Sequence, residues 1–455
     1  MSANASALKK RCARTAECQT TAFDEIQRKH PEQLHKTRCP GLTQETTVST
    51  SPNAPADSAA GELPAFATHD DAVAAARAMH ESIRSRAVQT ESDRIVSAQT
   101  INELRNSGLF NIVTPRLFGG SELGFATLVE VTAELASACG STGWVFGVLA
   151  GHSWMLNLFP LQAQRDVMGD DRALTATVFR LGGTVTEVDG GYELVGGEGR
   201  FCSGIDHAQW VIVGNAVQRE GQPPEPRFFV VPIADVEVID DWFTAGMRGT
   251  GSRSIRIART FIPAHRSVSV KEMMSGQSDA AGSVRAPIYR MPFQNVTPFS
   301  LIGAPLGMAR GAIRSFSDGL CPRLKSFDSE QMAEQSTTMS RLAQASAEID
   351  AAFALVREDA RMVDSAADPK TISALQWSRI PRDWAFAAQT ARRAVNSLFE
   401  AAGGTGIYND SELQRVWRDA NSAAQHFAFT WDSAMTNYGR TALGLPPSKF
   451  GPKGR

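Results

Sequence analysis

Cysteine is scarce, with six in 455 residues: Cys12, Cys18, Cys39, Cys139, Cys202 and Cys321. That is too few for a disulfide scaffold. Their spacing fits no zinc pattern and no HExxH occurs, so reduced thiols and no metal site are expected. Neither sign of charge is in excess, with 46 Lys and Arg against 48 Asp and Glu. A basic footprint for nucleic acid is therefore missing, as is long-range attraction to anionic lipid. No apolar run approaches the roughly 18 residues that span a bilayer, and the N-terminus lacks the apolar core of a secretory signal. The expectation is a soluble, cytoplasmic protein. Its 42% hydrophobic content supports packed globular structure, and its length exceeds what one ordinary core serves.

Nucleotide-binding signatures are missing too. A dinucleotide or phosphate loop needs a glycine-rich turn between a strand and a helix. Gly403-Gly404-Thr405-Gly406 follows a helical pattern instead, and Gly249-Thr250-Gly251-Ser252 precedes a strand. Neither is accompanied by a Walker lysine. Neither a GxSxG elbow nor a cysteine-protease signature is present. Redox chemistry, if performed, would draw on a pyridine nucleotide bound elsewhere.

What is there falls into four stretches. Residues 1–66 carry few large apolar residues and no sustained period, which predicts disorder, with room for a short basic helix near Phe23–Leu34. Residues 67–172 turn helical, with i, i+3, i+4 apolar spacing in Ala72–Ala87, Ala98–Asn106 and Ala126–Ala138. Thr142–Phe159 is apolar on nearly all sides and is expected to be buried. Residues 173–288 alternate and carry β-branched runs, and Asp189-Gly190-Gly191 marks a hairpin between two of them. This block reads as an antiparallel β domain. Residues 289–455 are helical again, over Ser300–Asp318, Ser329–Val363, Thr371–Ala402 and Glu412–Tyr438.

Three contexts could carry chemistry. On a continuous last helix, Trp417, Ala420, Ala424, Phe427 and Trp431 share an apolar stripe, and His426 lies about 180° from Trp417, facing solvent or a cavity. His152 follows Trp144 and Val148 at i+8 and i+4. It is either a buried histidine held by a backbone partner or a polar handle in a small-molecule pocket. The run Phe201-Cys202-Ser203-Gly204 lies between strands; it is either a turn or a place of close approach for a flat ligand.

These segments, in this order over about residues 70–448, resemble the acyl-CoA dehydrogenase fold. More closely they resemble the oxygenase components of two-component flavin monooxygenases, a group that includes 4-hydroxyphenylacetate 3-hydroxylase, the steroid A-ring hydroxylase and dibenzothiophene monooxygenase. Where the dehydrogenases carry a Trp-Ile-Thr segment whose threonine contacts flavin N5, this chain has Phe201-Cys202-Ser203, with the serine characteristic of the hydroxylases. Many dehydrogenases place a catalytic glutamate nine positions after the arginine of an Arg-Asp pair. Counting from Arg418 reaches Phe427, preceded by His426, where the hydroxylases keep their catalytic histidine.

The resemblance implies an α+β, mainly α, fold: an N-terminal helical domain, a middle antiparallel β-barrel and a C-terminal four-helix bundle, assembled as a homotetramer. It also implies that Trp144, Phe201, Cys202, Ser203, Arg323, Gly403, Gly404 and Thr405 bind the flavin, the last four partly across a subunit boundary. His152 and Thr177 would line the substrate pocket, with Thr177 standing where phenol hydroxylases have serine. The implied activity takes reduced FMN or FAD from a separate NAD(P)H:flavin reductase and hydroxylates an aromatic, phenolic substrate with O2 through a flavin C4a-hydroperoxide. His426 would act as base and Ser203 at flavin N5. The alternatives are an acyl-CoA dehydrogenase-like FAD oxidoreductase, and oxidation of sulfur, nitrogen or indole substrates on the same scaffold.

Overall fold

Local signals start the first helices where they were expected. Thr68 and Asp71 form a reciprocal capping box at α1 (His69–Ala78), satisfying N–H groups that a helix start leaves free. The computed structural model describes residues 63–170, 172–275, 286–324 and 335–446, with side chains up to residue 321 in the third stretch. The N-terminal segment and its candidate helix therefore lie outside the described residues, apart from Leu63–Phe66, where the Phe66 N–H donates to Ser121 Oγ at 2.9 Å. Residues Gly61–Arg455 form one compact unit. Among the described residues, no helix is long and apolar enough to cross a membrane.

The stretch expected as one helix over Ala72–Ala87 is broken into α1, α2 (His80–Ser85) and α3 (Ala87–Asp93). Then follow α4 (Ala98–Asn106), α5 (Phe125–Ala138), α6 (Gly140–Leu156) and α7 (Leu161–Met168). Helix α6 is buried throughout except at Ser153, as its all-round apolar sequence requires.

Among the described residues eight strands follow: β1 (Thr175–Val178), β2 (Thr184–Val188), β3 (Gly191–Cys202), β4 (Trp210–Gln218), β5 (Glu225–Pro232), β6 (Glu237–Ile239), β7 (Arg253–Pro263) and β8 (Ser267–Ser269). The β2–β3 hairpin turns where expected, with Gly190 at φ +77°, a conformation open to glycine because it has no Cβ. Two expectations fail here. The sheet does not close into a barrel: its order is β6-β7-β3-β2-β4-β5-β8, and the three-residue end strands β6 and β8 are not paired with each other. Nor is it purely antiparallel, because β1 and β2 both run parallel to β4 along one of its edges. Period-2 alternation establishes a strand's faces but not its partners.

After α8 (Val270–Ser275) and α9 (Phe293–Val296), the chain enters the long helices α10 (Phe299–Leu324), α11 (Ser336–Ser365) and α12 (Ala374–Ala402). The last expected helix, Glu412–Tyr438, is two: α13 (Glu412–Ala423) and α14 (Trp431–Ala442), separated by a 3₁₀ turn at Phe427–Phe429. The single stripe expected from Trp417 to Trp431 does not exist. Trp417 stacks on Phe399 (4.6 Å between ring centroids), whereas Phe427 and Trp431, beyond the break, are exposed.

Helices α5 and α10 touch backbone to backbone through a glycine row. A Cβ added at Gly303, Gly307 or Gly311 would come within 2.4, 2.2 or 2.7 Å of the carbonyl oxygens of Val129, Ala133 and Ser137. Asp364 of α11 ties the same helix down, its carboxylate accepting the N–H groups of Phe125 (2.7 Å) and Ala126 (2.9 Å) at the start of α5. We predict that Gly307→Ala lowers stability by about 1–3 kcal/mol, the usual cost of overpacking. Urea unfolding with an unchanged midpoint would contradict this contact.

Candidate active site

The break after α13 is what places His426. The helix ends at Ala423, and His426 becomes the N-terminal cap of the 3₁₀ turn Phe427–Phe429, its Nδ1 accepting the Ala428 N–H at 3.3 Å. The ring lies edge-on to Trp144 of α6 (centroids 5.5 Å, 68°) and against Phe427 (4.4 Å) and Phe429 (5.8 Å). The residue is half-buried, and the desolvation that these rings impose pushes its pKa down to about 4, because a low-dielectric surrounding disfavours the cation. With Nδ1 accepting, the neutral ring carries its hydrogen on Nε2.

Trp144 connects this histidine to the end of β3. Its indole N–H donates to Ser203 Oγ at 3.3 Å. Ser203 is presented by a distorted strand end: the β3–β7 register shifts between Gly199 and Cys202, and Phe201 has φ +65°. A bulky residue in that conformation is a steric outlier, and such strain persists only where the surroundings enforce it. The kink throws the Phe201 ring out, 70% exposed and 5.9 Å from Trp242. It turns the Cys202 thiol into the core, where burial pushes its pKa up, so Cys202 can offer a flat ligand its backbone and not its sulfur. Trp144, Ser203 and His426, distant in sequence, are thus one contiguous group.

His152 is buried one helix face along from Trp144, with Nδ1 donating to the Thr175 carbonyl at 2.7 Å. Burial lowers its pKa to about 4. The carbonyl fixes the tautomer, leaving Nε2 with a lone pair. His152 thus has the backbone partner of the first reading, and among the described residues its Nε2 makes no hydrogen bond. Thr175 and Thr177, on one face of β1, each bury a hydroxyl without a hydrogen-bond partner. Such groups are rare unless a ligand or water completes them.

Gly403, Gly404 and Thr405 form an exposed turn at the end of α12, with Gly403 at φ +60° and the Thr405 hydroxyl donating to the Ala402 carbonyl at 2.9 Å. Among the described residues, no hydrogen bond links them to the Trp144–Ser203–His426 group. The Arg323 side chain lies outside the described residues.

Two sets of residues were not anticipated. Phe179 sits with its ring 6.1 Å from Phe228, 6.0 Å from Phe293 and 6.2 Å from Phe427, making an aromatic rim beside His426. No spacing rule reveals it, because the four rings come from four separate segments. The other set is Thr250 and Ser252. Ser203 Oγ lies 2.6 Å from Ser252 Oγ, which lies 2.7 Å from Thr250 Oγ1, which donates to the Met247 carbonyl at 2.9 Å. The Gly-Thr-Gly-Ser segment was visible in the sequence, but only as a failed phosphate loop. This Met247–Ser252 turn is pinned by α13: Asp419 Oδ1 accepts the Met247 N–H at 2.6 Å. Asp419 therefore anchors the turn under Ser203.

This polar group set in aromatic walls fits an isoalloxazine, which needs flat apolar contact and a hydrogen-bonding partner at N5. Comparison with known proteins agrees. Residues 68–168 match the N-terminal domain of acyl-CoA dehydrogenases and residues 300–431 their C-terminal domain. The oxygenase subunit HsaA of a flavin-dependent monooxygenase from Mycobacterium tuberculosis (strain CDC 1551 / Oshkosh) is 34% identical, over 80% of this chain and 93% of its own length. The chain belongs to the flavin-dependent monooxygenase oxygenase components. The oxygenase component of an FADH(2)-dependent resorcinol hydroxylase from Rhizobium sp. (strain MTP-10005) is also 34% identical, over 80% of this chain and 92% of its own. Among solved structures, the M. tuberculosis HsaA monooxygenase superposes with a TM-score of 0.78 at 32% identity, covering 84% of this chain and 99% of that one. XiaF from Streptomyces sp., solved with FADH2, gives 0.77 at 27% identity over 84% and 97%. Where the resemblance puts the glutamate of many dehydrogenases, this chain has Phe427, which is 60% exposed.

Proposed function

We propose that this oxygenase component hydroxylates a phenolic ring held between His426 and the Phe179–Phe427 rim, using reduced FMN or FAD and O2. The observation that carries the reading is the direct contact of Trp144 with both Ser203 and His426, which sets a flavin-type polar contact beside a histidine with aromatic neighbours. Bound reduced flavin supplies the electrons that activate O2, so that one oxygen atom enters the ring and the other leaves as water. The protein's own part is positioning and exclusion of water. Trp144, Ser203, Phe201 and the Cys202 backbone would hold the flavin, with Ser203 as the partner of N5. His152 Nε2 and the Thr177 hydroxyl orient the substrate.

His426 faces the substrate hydroxyl. As Nε2–H it stabilises an oxygen already ionised. To accept the hydroxyl proton it must shift its hydrogen to Nδ1, giving up the Ala428 contact at a cost of about 1 kcal/mol. Removing that proton raises electron density at the ring carbon to be oxygenated. Because desolvation keeps the ring neutral until about pH 4, throughout the neutral range no proton has to leave it first, and the tautomer shift alone precedes proton acceptance. The acid limb of kcat/KM should therefore fall off as pH drops through about 4, and the imidazole NMR titration should show the same midpoint. A limb near the ordinary histidine value of about 6.5 would overturn the desolvated, neutral assignment.

We further propose that a separate NAD(P)H:flavin reductase delivers the reduced flavin in the cytoplasm, and that the chain works as a homotetramer. The Gly403–Thr405 turn and Arg323 would then contact flavin bound by a neighbouring subunit. Exposed Ile407 (66%) and Tyr408 (65%) beside that turn support a contact surface there. Light scattering should give four times the chain mass. A panel of phenols, indoles and thiophenes tested with reduced flavin should yield oxygenated product from phenols; product from thiophenes alone would sink the phenolic reading.

A further inference from the structure

The hydroxyls of Ser203, Ser252 and Thr250 make a chain whose polarity is determined at its far end. Met247 O is a main-chain carbonyl and can only accept. Thr250 directs its single hydroxyl hydrogen there (2.9 Å), so its oxygen must accept from Ser252 (2.7 Å). Ser252 has then used its hydrogen and must accept from Ser203 (2.6 Å). Ser203 in turn receives the Trp144 indole N–H (3.3 Å). All three hydroxyl residues are buried, so water does not scramble the order. What Ser203 has left to present to a ligand is one lone pair.

We propose that Ser252 and Thr250 are positioning residues that hold the Ser203 hydroxyl as a hydrogen-bond acceptor, so that it discriminates the oxidation state of flavin at N5. This rests on the reading of Ser203 as the N5 contact. Reduced flavin carries a hydrogen on N5 and donates to the lone pair. Oxidised flavin has a bare N5, and a buried acceptor facing another acceptor leaves both unsatisfied. The chain's anchor is itself held rigidly. Met247 sits at φ +57°, its N–H donates to Asp419 and its carbonyl also takes the Trp242 indole N–H at 3.0 Å. The two residues thus act through Ser203 and not by touching the flavin.

The test measures dissociation constants of the full-length protein for oxidised and reduced FMN and FAD, anaerobically, with the midpoint potential of the bound flavin. Wild type should prefer the reduced form. Ser252→Ala and Thr250→Val free the Ser203 hydroxyl to rotate and donate. Each should cut the reduced-to-oxidised affinity ratio about tenfold, lowering the bound potential by about 30 mV for a two-electron couple. Thr250→Ser, which keeps the hydroxyl, should restore the wild-type ratio. An unchanged ratio in both variants, or equal weakening for both flavin forms, overturns the relay while leaving Ser203 as the N5 contact. Failure of wild type to bind either form overturns the N5 reading and the relay together.

Discussion

Replacing His426 with alanine should reduce hydroxylated product by about 10²–10⁴-fold, the range that a positioned acid–base group contributes, while reduced flavin and O2 are still consumed. The oxygen should then be recovered as hydrogen peroxide. Alanine also removes the acceptor for the Ala428 N–H and the ring packed on Trp144, so a loss could arise from collapse of the turn. His426→Asn separates the two causes. Asparagine is a good helix-start residue and can keep the Ala428 contact, but it cannot take a proton at neutral pH. Both variants should therefore lose product and retain oxygen consumption, read as product and peroxide formed per O2. Near-normal hydroxylation by either would remove His426 from the chemistry.

The second large effect concerns Ser203. Ser203→Ala deletes the acceptor at N5 and leaves the Trp144 N–H without its partner. A loss of about 1–2 kcal/mol of hydrogen bonding corresponds to roughly 5- to 30-fold faster peroxide release, with flavin still bound. Ser203→Thr retains the hydroxyl, as the dehydrogenases do at this position, and should stay well coupled. Stopped-flow absorbance together with peroxide assay distinguishes these outcomes. Alanine with wild-type coupling would mean that N5 is held by another group.

Much of the fold was legible because it is written in local chemistry. Helix α4 begins and ends where its cap and periodicity place it, with the Ser97 hydroxyl accepting the Thr100 N–H. Helix α6 is buried because it has no polar face to expose. The Asp189-Gly190 turn joins β2 to β3 because its glycine can adopt positive φ. Elsewhere local signals were too weak. The apolar spacing from Trp417 to Trp431 is good helix text, yet the chain breaks at Ala424, where packing on Trp144 and Phe429 outweighs propensity. Closure of the sheet also could not be read, since it depends on whether β6 and β8 meet.

The sequence by itself determined the chemistry of the site's contact residues: an indole, a hydroxyl and an imidazole at positions 144, 203 and 426, and no nucleotide loop of its own. Residue type and spacing alone left each of the three open to a structural reading, and it was the resemblance to the flavin monooxygenases that singled them out together. Only the tertiary structure decided their condition. It broke the last helix so that His426 turns onto Trp144, and desolvated the half-buried ring until its pKa fell to about 4. It brought Ser252, 49 residues from Ser203, within 2.6 Å of it. Proton positions and pKa values depend on what surrounds a group in space, and contacts between residues far apart in the chain exist only once the chain is folded.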